Sequence, residues 1–182
     1  SSEFNSLLDQ LAGLKTDNRK DIIETSAKIR KLIEETAIPE SVDHEIARYL
    51  EQFGKKAAFA VRSSATAEDL PSASFAGQQD TILNVKGEAK LIEACHQCYA
   101  SLWTDRAISY RTAKGFDHFD VALSIGIQPM VRSDIACSGV MFTLDTESGF
   151  RDVVVINGAW GLGEAVVQGM ATPDEWLVCK RT

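Results

Sequence analysis

Arg62 and the small polar residues that follow it have the composition of a phosphate-binding segment. Only Leu70 and Phe75 are large and apolar between residues 63 and 79, and serine and threonine are frequent there. A loop of this length is uncommon in a compact domain and is usually functional or disordered. The serine and threonine hydroxyls favour an ordered loop, because a disordered linker would be charged or rich in proline.

The chemistry that these residue types suit is the binding of a polyphosphate. Arginine presents a planar, permanently charged group that pairs with two phosphate oxygens at once, and Arg62 lies at the predicted end of a strand. Gly77 lets the main chain come close to a ligand, and exposed amides form an anion-binding concavity. An ordered loop held by its own serine hydroxyls, without a ligand, is the alternative that the pattern leaves open.

Two predicted strands frame this loop. The apolar run at residues 57–61 predicts a strand that leads into Arg62, and residues 80–85 predict a second strand that contains Thr81. The loop is therefore expected to connect two strand ends, with Arg62 at one end and Thr81 at the other.

A third predicted strand is interrupted by a glycine and a proline. The β-branched run at residues 121–131 contains Gly126 and Pro129. Proline cannot donate to a β-ladder, so the segment around Pro129 must lie at a sheet edge or leave the sheet. From the pattern alone, the segment from Gln128 to Met130 is expected to be a bend in the strand.

The remaining apolar patterns predict an α+β fold with N-terminal helices and a mixed, largely antiparallel sheet. The expected helices cover residues 4–14, 19–38, 39–53 and 88–114, and the later strands cover residues 139–144, 153–156 and 173–180. The first three helices make residues 1–54 an N-terminal helical part.

The segment CHQC at residues 95–98 has a spacing that can place two thiolates on one metal ion. No second pair accompanies it, because Cys137 and Cys179 stand alone, and both thiols of the segment fall on the apolar side of a predicted helix. We therefore expect these cysteines to pack as small apolar residues.

Basic residues lie at the C-terminal end of the long predicted helix, where their charge complements the helix dipole. Arg111 and Lys114 are accordingly expected to be surface or capping charges, with a phosphate contact as the alternative. Each histidine stands without an acid–base partner nearby in the sequence, so the three are expected to be structural: His44, His96 and His118.

The composition excludes several classes of protein. The 182 residues are 45% hydrophobic, which is ordinary for a globular chain. Their formal net charge of −7 is unfavourable for general nucleic-acid binding. No stretch is long and apolar enough to span a membrane, so a cytoplasmic protein is expected. Because the net charge is negative, a polyphosphate must be held by local charges, amides and a metal ion.

Five segments, in order, resemble the pyruvate/phosphoenolpyruvate dikinase N-terminal domain. They are VRSSATAEDLPSASFAGQQDTILNV, TDRAISYR, KGFDHFDVALSIGIQPMVRSD, SGVMFTLDTESGFRDVV and GAWGLGEAVVQGMATPDEW. The family includes phosphoenolpyruvate synthases, pyruvate phosphate dikinases and rifampin phosphotransferases, and the later segments look most like those of the bacterial synthases. The resemblance implies an ATP-grasp-like nucleotide-binding part over residues 55–182.

The resemblance also implies a role for individual residues. Arg62 is expected on the phosphates of ATP, Gly77 and Thr81 in the loop that covers them, and Gln128 at the hinge along the adenine ring. Met130 would pack on the face of that ring. ATP and Mg²⁺ are the implied cofactors, and Glu164 in the GLGE segment is a weaker candidate, either for orienting a loop or for approaching the metal.

The implied reaction needs parts that this sequence lacks. In the family, ATP phosphorylates a histidine on a mobile domain, and this carrier then phosphorylates pyruvate to give phosphoenolpyruvate, AMP and phosphate. A Gly-Gly-Lys segment, an acidic residue followed by a Gln-x-Arg strand, the carrier histidine motif and the pyruvate-binding barrel are absent here. We therefore expect a piece of the nucleotide-binding domain that is inactive alone, whose partners are a nucleotide and the missing domains.

Two other readings remain open from the sequence. A rifampin-type phosphotransferase would share the ATP motifs but transfer phosphate to a drug hydroxyl. A non-catalytic module that keeps the fold as a scaffold would bind no nucleotide, although the joint presence of Arg62, Gly77 and Gln128 argues against it.

Overall fold

The computed structural model describes residues 2–14, 18–54, 56–65, 69–70, 73–74 and 80–180. Tertiary contacts divide the chain into two units, Ser1–Met130 and Val131–Thr182. Helices together with antiparallel sheets confirm the predicted α+β class. The predicted division at residue 54, between a helical and a nucleotide-binding part, concerns function and stays a prediction.

The helices of the first unit are α1 (Ser2–Ala12), α2 (Arg19–Glu35), α3 (Glu40–Glu51), α4 (Glu88–Ser101) and α5 (Asp105–Lys114). The first three lie close to their predicted positions. The single helix predicted for residues 88–114 is instead two helices, because Thr104 has extended backbone and caps α5. Its side-chain oxygen accepts a hydrogen bond from the amide of Ala107 at 3.2 Å.

The described strands of the first unit are β1 (Phe59–Ala65), β2 (Asp69–Leu70), β3 (Ala73–Ser74), β4 (Thr81–Val85) and β5 (Leu123–Pro129). Strand β1 lies between β4 and β5, and both neighbours run antiparallel to it. It extends to Ala65 instead of ending at the predicted Val61. Strands β2 and β3 pair as a short hairpin inside the segment that was predicted to lack strands, so that prediction was wrong for these residues.

Apolar side chains of β1 and α4 form one of the two cores of this unit. Phe59 and Val61 of β1 are buried in one cluster with Leu91 and Cys98 of α4. The other cluster joins the N-terminal helices to α5 through residues that include Leu11, Ile22, Ile29 and Ile108. The packing of α4 on β1 fixes which face of the sheet is left for function.

The second unit contains an antiparallel sheet of β6 (Cys137–Phe142), β7 (Val153–Trp160) and β8 (Asp174–Cys179), in that order. A 3-10 turn at Ser133–Ile135 precedes β6, and the short helix α6 (Gly163–Val167) follows β7. These strands confirm the antiparallel half that was predicted. Within the described ranges every strand pairing is antiparallel, and no helix has the length and hydropathy needed to cross a membrane.

Candidate functional site

The central strand β1 turns one face toward α4 and the other away from it. Phe59 and Val61 are 2% and 0% exposed on the packed face. Arg62, the next residue, is exposed, and the alternation of side chains along a strand puts it on the same face as Ala60 and Ser64. The outward face of β1 therefore carries small side chains and a serine around one arginine.

Arg62 lies directly opposite one residue of each neighbouring strand. Its partner on β4 is Thr81, and its partner on β5 is Gly126. Directly opposed residues of antiparallel strands point their side chains to the same face, with Cβ atoms roughly 4.5–5.5 Å apart. The Thr81 side chain is therefore beside that of Arg62, and Gly126 leaves space on the other side because it has no side chain.

Gln128 lies on the same outward face. It is exposed and opposes Ala60, two residues before Arg62 on β1. Two residues of a strand span about 7 Å, so the Gln128 amide and the Arg62 guanidinium belong to adjacent rows of one surface. The fold thus brings Arg62, Thr81 and Gln128 together, although they are far apart in the sequence.

The predicted hinge lies where β5 ends, at Pro129. Strand β5 is one of the two outer strands of this sheet in the described residues, which is where proline is tolerated. The amide of Met130 donates a hydrogen bond to the carbonyl oxygen of Ala58 at 2.8 Å, so this amide is not free for a ligand. Main-chain groups alternate along a strand, so those of Ile127 and the carbonyl of Pro129 point away from β1.

Ser63, at the start of the predicted loop, forms a hydrogen bond within the protein. The hydroxyl of Ser63 donates a hydrogen bond to the carbonyl oxygen of Asp80 at 3.4 Å and links β1 to the residue before β4. This is the kind of bond that the ligand-free alternative predicts. Gly77 lies outside the described residues, so its predicted role stays a prediction.

Arg111 is neither a surface charge nor open to a phosphate, and both predictions for it were wrong. Its side chain is 1% exposed, lies over the Trp103 ring at 5.2 Å from the ring centroid, and donates a hydrogen bond from Nε to Nδ1 of His118 at 3.1 Å. Burial lowers the pKa of Arg111 to about 10, which leaves the group charged at neutral pH. The structural role expected for His118 is confirmed.

Both cysteines of the CHQC segment are buried in the apolar cluster on α4, as predicted. Cys98 also makes polar contacts that periodicity does not predict. Its Sγ lies 3.7 Å from the carbonyl oxygen of Val61 and 3.6 Å from that of Asp80. The available sequence signal is the use of cysteine, a weak donor, at a buried helical position.

Glu164 is exposed on α6, and its Oε1 accepts a hydrogen bond from Nε2 of Gln168 at 2.9 Å. Across the described ranges, no group of three or more His, Cys, Asp or Glu side chains is placed to hold a metal ion. Mg²⁺ usually keeps several waters and binds one or two carboxylates together with substrate phosphates. A single carboxylate therefore fits Mg²⁺ carried by a nucleotide and does not fit a metal held by protein ligands alone.

Comparison with known proteins gives one family match over nearly the whole chain. Residues 4–182 match the family described as "Pyruvate phosphate dikinase, AMP/ATP-binding domain". The match includes both units and every residue of the outward face described above.

Several curated relatives are similar over almost the full sequence. Phosphoenolpyruvate synthase from Aquifex aeolicus (strain VF5) is 52% identical over 189 residues, which cover 99% of this chain and 22% of the relative. Phosphoenolpyruvate synthase from Escherichia coli (strain K12) is 50% identical over 192 residues, which cover 98% of this chain and 24% of the relative. Phosphoenolpyruvate synthase from Helicobacter pylori (strain ATCC 700392 / 26695) is 55% identical over 168 residues, which cover 89% of this chain and 21% of the relative. The chain thus spans less than a quarter of the length of these relatives. It belongs to the pyruvate phosphate dikinase AMP/ATP-binding domain family.

Proposed function

We propose that the outward face of the β4–β1–β5 sheet binds the ATP used by a phosphoenolpyruvate synthase. The observation that carries the proposal is the placement of Arg62 opposite Thr81, with Gln128 on the same face. The face joins a cation, a hydroxyl and an amide on one sheet, which suits a ligand with both phosphates and a polar ring.

The proposed contacts follow from the chemistry of each side chain. The guanidinium of Arg62 pairs with phosphate oxygens, which suits a chain whose net charge of −7 would otherwise repel an anion. Thr81 and Gly77, in and before β4, line the phosphates. Gln128 and the outward main-chain groups beside Pro129 meet the polar edge of adenine, and Met130 packs on its face.

The proposed activity of the longer protein is the conversion of pyruvate, ATP and water into phosphoenolpyruvate, AMP and phosphate. A histidine carried on another domain receives the phosphoryl group from ATP and passes it to pyruvate. This chain would contribute by holding ATP and stabilising charge during transfer, because phosphoryl transfer depends mainly on positioning and electrostatics. Its fold is proposed to be ATP-grasp-like, and the reaction fits a cytoplasmic, gluconeogenic enzyme.

Glu164 is proposed as a residue whose carboxylate approaches Mg²⁺. Neutralising it by Glu164→Gln would keep the hydrogen-bonding shape of the side chain but remove the charge that attracts the ion. We expect the variant to bind Mg²⁺ more weakly than the wild type. Unchanged Mg²⁺ binding would remove Glu164 from the proposal.

The proposed activity is tested by a chimera with the Escherichia coli relative, which is 50% identical over 98% of this chain. The segment of that enzyme that matches this chain is replaced by the present sequence, and pyruvate-dependent formation of AMP and phosphoenolpyruvate is measured. The account predicts activity in the chimera and its loss in the same chimera carrying Arg62→Ala. A folded chimera that forms no phosphoenolpyruvate, or one that is insensitive to Arg62→Ala, would contradict the proposal.

The matched control for the chimera is Arg48→Ala. Arg48 is an exposed arginine that pairs with Glu45 through Nη2 at 2.5 Å, and it belongs to the helix α3 and to none of the three strands of the proposed face. Exposed ion pairs contribute little to stability, so this change should leave the activity within about twofold of the parent chimera.

A further inference from the structure

A buried thiol lies beneath the two strand residues that face each other in the proposed phosphate site. Cys98 is 0% exposed, and its Sγ lies 3.7 Å from the carbonyl oxygen of Val61 and 3.6 Å from that of Asp80. These carbonyls belong to the peptide groups that lead directly into Arg62 and Thr81. One helical side chain therefore bridges β1 and the start of β4 at the level of the Arg62–Thr81 pair.

Ser101, one turn farther along α4, holds the same strand end. Its hydroxyl donates a hydrogen bond to the carbonyl oxygen of Cys98 at 2.7 Å and accepts one from the amide of Asp80 at 3.4 Å. The side chain is 2% exposed. The last turn of α4 thus contacts both the amide and the carbonyl of Asp80, and the Ser63 hydroxyl makes a second contact with that carbonyl.

The polar contacts of Cys98 are not a by-product of its position on the helix. Burial raises the pKa of the Cys98 thiol to about 11, so the group keeps its proton and can donate at neutral pH. Cys95 lies in the same cluster and is 5% exposed, yet no hydrogen bond from its thiol to β1 or β4 is found among the described residues. A comparison of variants of the two cysteines therefore separates the effect of core packing from the effect of the contact with the strands.

We propose that Cys98 and Ser101 are positioning residues, which hold the main chain of β1 and β4 so that Arg62 and Thr81 meet the nucleotide phosphates together. This inference rests on the proposed nucleotide site. Sites of this kind lose much of their effect when a contacting group shifts by about 1 Å, so the bonds beneath the strands matter even though each is weak.

The test compares four variants of this chain: Cys98→Ala, Cys98→Ser, Ser101→Ala and the control Cys95→Ala. Hydrogen exchange of the β4 amides, thermal stability and Mg-ATP affinity are measured for each. We expect Cys98→Ala and Ser101→Ala to speed exchange in β4 and to weaken ATP binding by about threefold to tenfold. Cys95→Ala, which removes the same volume from the same cluster, should lose stability but keep its β4 exchange and affinity within about twofold of the wild type.

Cys98→Ser separates positioning from packing. The serine hydroxyl restores a donor to the strand carbonyls, but a hydroxyl in an apolar cluster lowers stability. The proposal expects Cys98→Ser to bind ATP more tightly than Cys98→Ala while being no more stable. Equal loss of affinity in the Cys95 and Cys98 variants, or affinities that simply follow stability across the set, would overturn it.

The hydrogen-exchange measurement tests the inference independently of the proposed function. If the wild-type chain bound no ATP, the proposed function would fail for this chain. Selective opening of β4 in the Cys98 and Ser101 variants would then still support their hold on Arg62 and Thr81, whereas unchanged exchange in β4 would overturn the inference whether or not ATP binds.

Discussion

Arg111 donates its Nε proton to Nδ1 of His118 at 3.1 Å in the interior of the first unit. Both side chains are buried, at 1% and 7% exposure, and the Trp103 ring covers the guanidinium. The ring nitrogen that accepts this bond must be unprotonated. The pair therefore makes a charged arginine compatible with the core only while the histidine is neutral.

The first prediction is a loss of stability in mild acid. Burial first, and then the charge of Arg111, lower the pKa of His118 from 6.5, while Asp117 opposes the shift. The unfolded chain consequently binds a proton more readily than the folded one, so folding stability rises with pH. His118 stabilises the fold fully above about pH 6.5, and this contribution falls as the pH drops from there through the lower folded pKa.

Urea unfolding between about pH 8 and about pH 5 measures this slope. The control is His118→Gln, whose side-chain oxygen can accept from Arg111 but does not titrate. We expect a flatter pH dependence in the variant over the same range. A slope equal to that of the wild type would show that another group is responsible.

The second prediction concerns the cap that divides the long predicted helix. Thr104→Ala removes the oxygen that accepts from the Ala107 amide at 3.2 Å and should destabilise the first unit by about 1 kcal/mol. Thr104→Ser keeps the acceptor and should lose much less. Chemical denaturation of both variants measures the difference, and equal losses would mean that the threonine methyl group, and not the cap, matters.

The third prediction concerns close strand packing in the second unit. A Cβ added at Gly139 would lie 2.0 Å from the carbonyl oxygen of Asn157 and 2.8 Å from the Cα of Gly158. Because main-chain atoms of β7 must shift to admit it, Gly139→Ala should cost at least about 2 kcal/mol. Thermal unfolding followed by Trp160 and Trp176 fluorescence measures this loss.

Gly163→Ala is the control for that substitution. Its added Cβ would meet only the Cβ of Ser138, at the ordinary distance of 3.5 Å, and alanine favours the helix α6 in which it lies. This variant should be as stable as the wild type or slightly more stable. A Gly139→Ala protein that unfolds at the wild-type temperature would contradict the close approach of β6 and β7.

Apolar periodicity predicted most of the helices and strands, because each of them buries one face. It failed between Ser101 and Asp105, since Leu102 and Trp103 continue the apolar pattern across the connection and are buried there. Apolar periodicity also predicted an end of β1 that is too early. The polar residues after Val61 face outward or bond toward the next strand, and a run of polar residues resembles a loop in the sequence.

The candidate site could be predicted in its members but not in its arrangement. Motifs gave Arg62, Thr81 and Gln128, and strand pairing shows that they share a face. One contribution depends on long-range packing and leaves no local pattern, which is the contact of Cys98 with the strands beneath Arg62 and Thr81.

The most direct test of the central claim is the affinity of this chain for Mg-ATP before and after Arg62→Ala, measured by titration calorimetry. Hydrogen bonds to charged groups are worth about 1.5–3 kcal/mol, so we expect the substitution to weaken binding at least about tenfold. Arg48→Ala should stay within about twofold of the wild type, and both variants should unfold at nearly the same temperature as the wild type. An Arg62→Ala protein that binds ATP as tightly as the wild type would contradict the placement of the nucleotide on this face of the sheet.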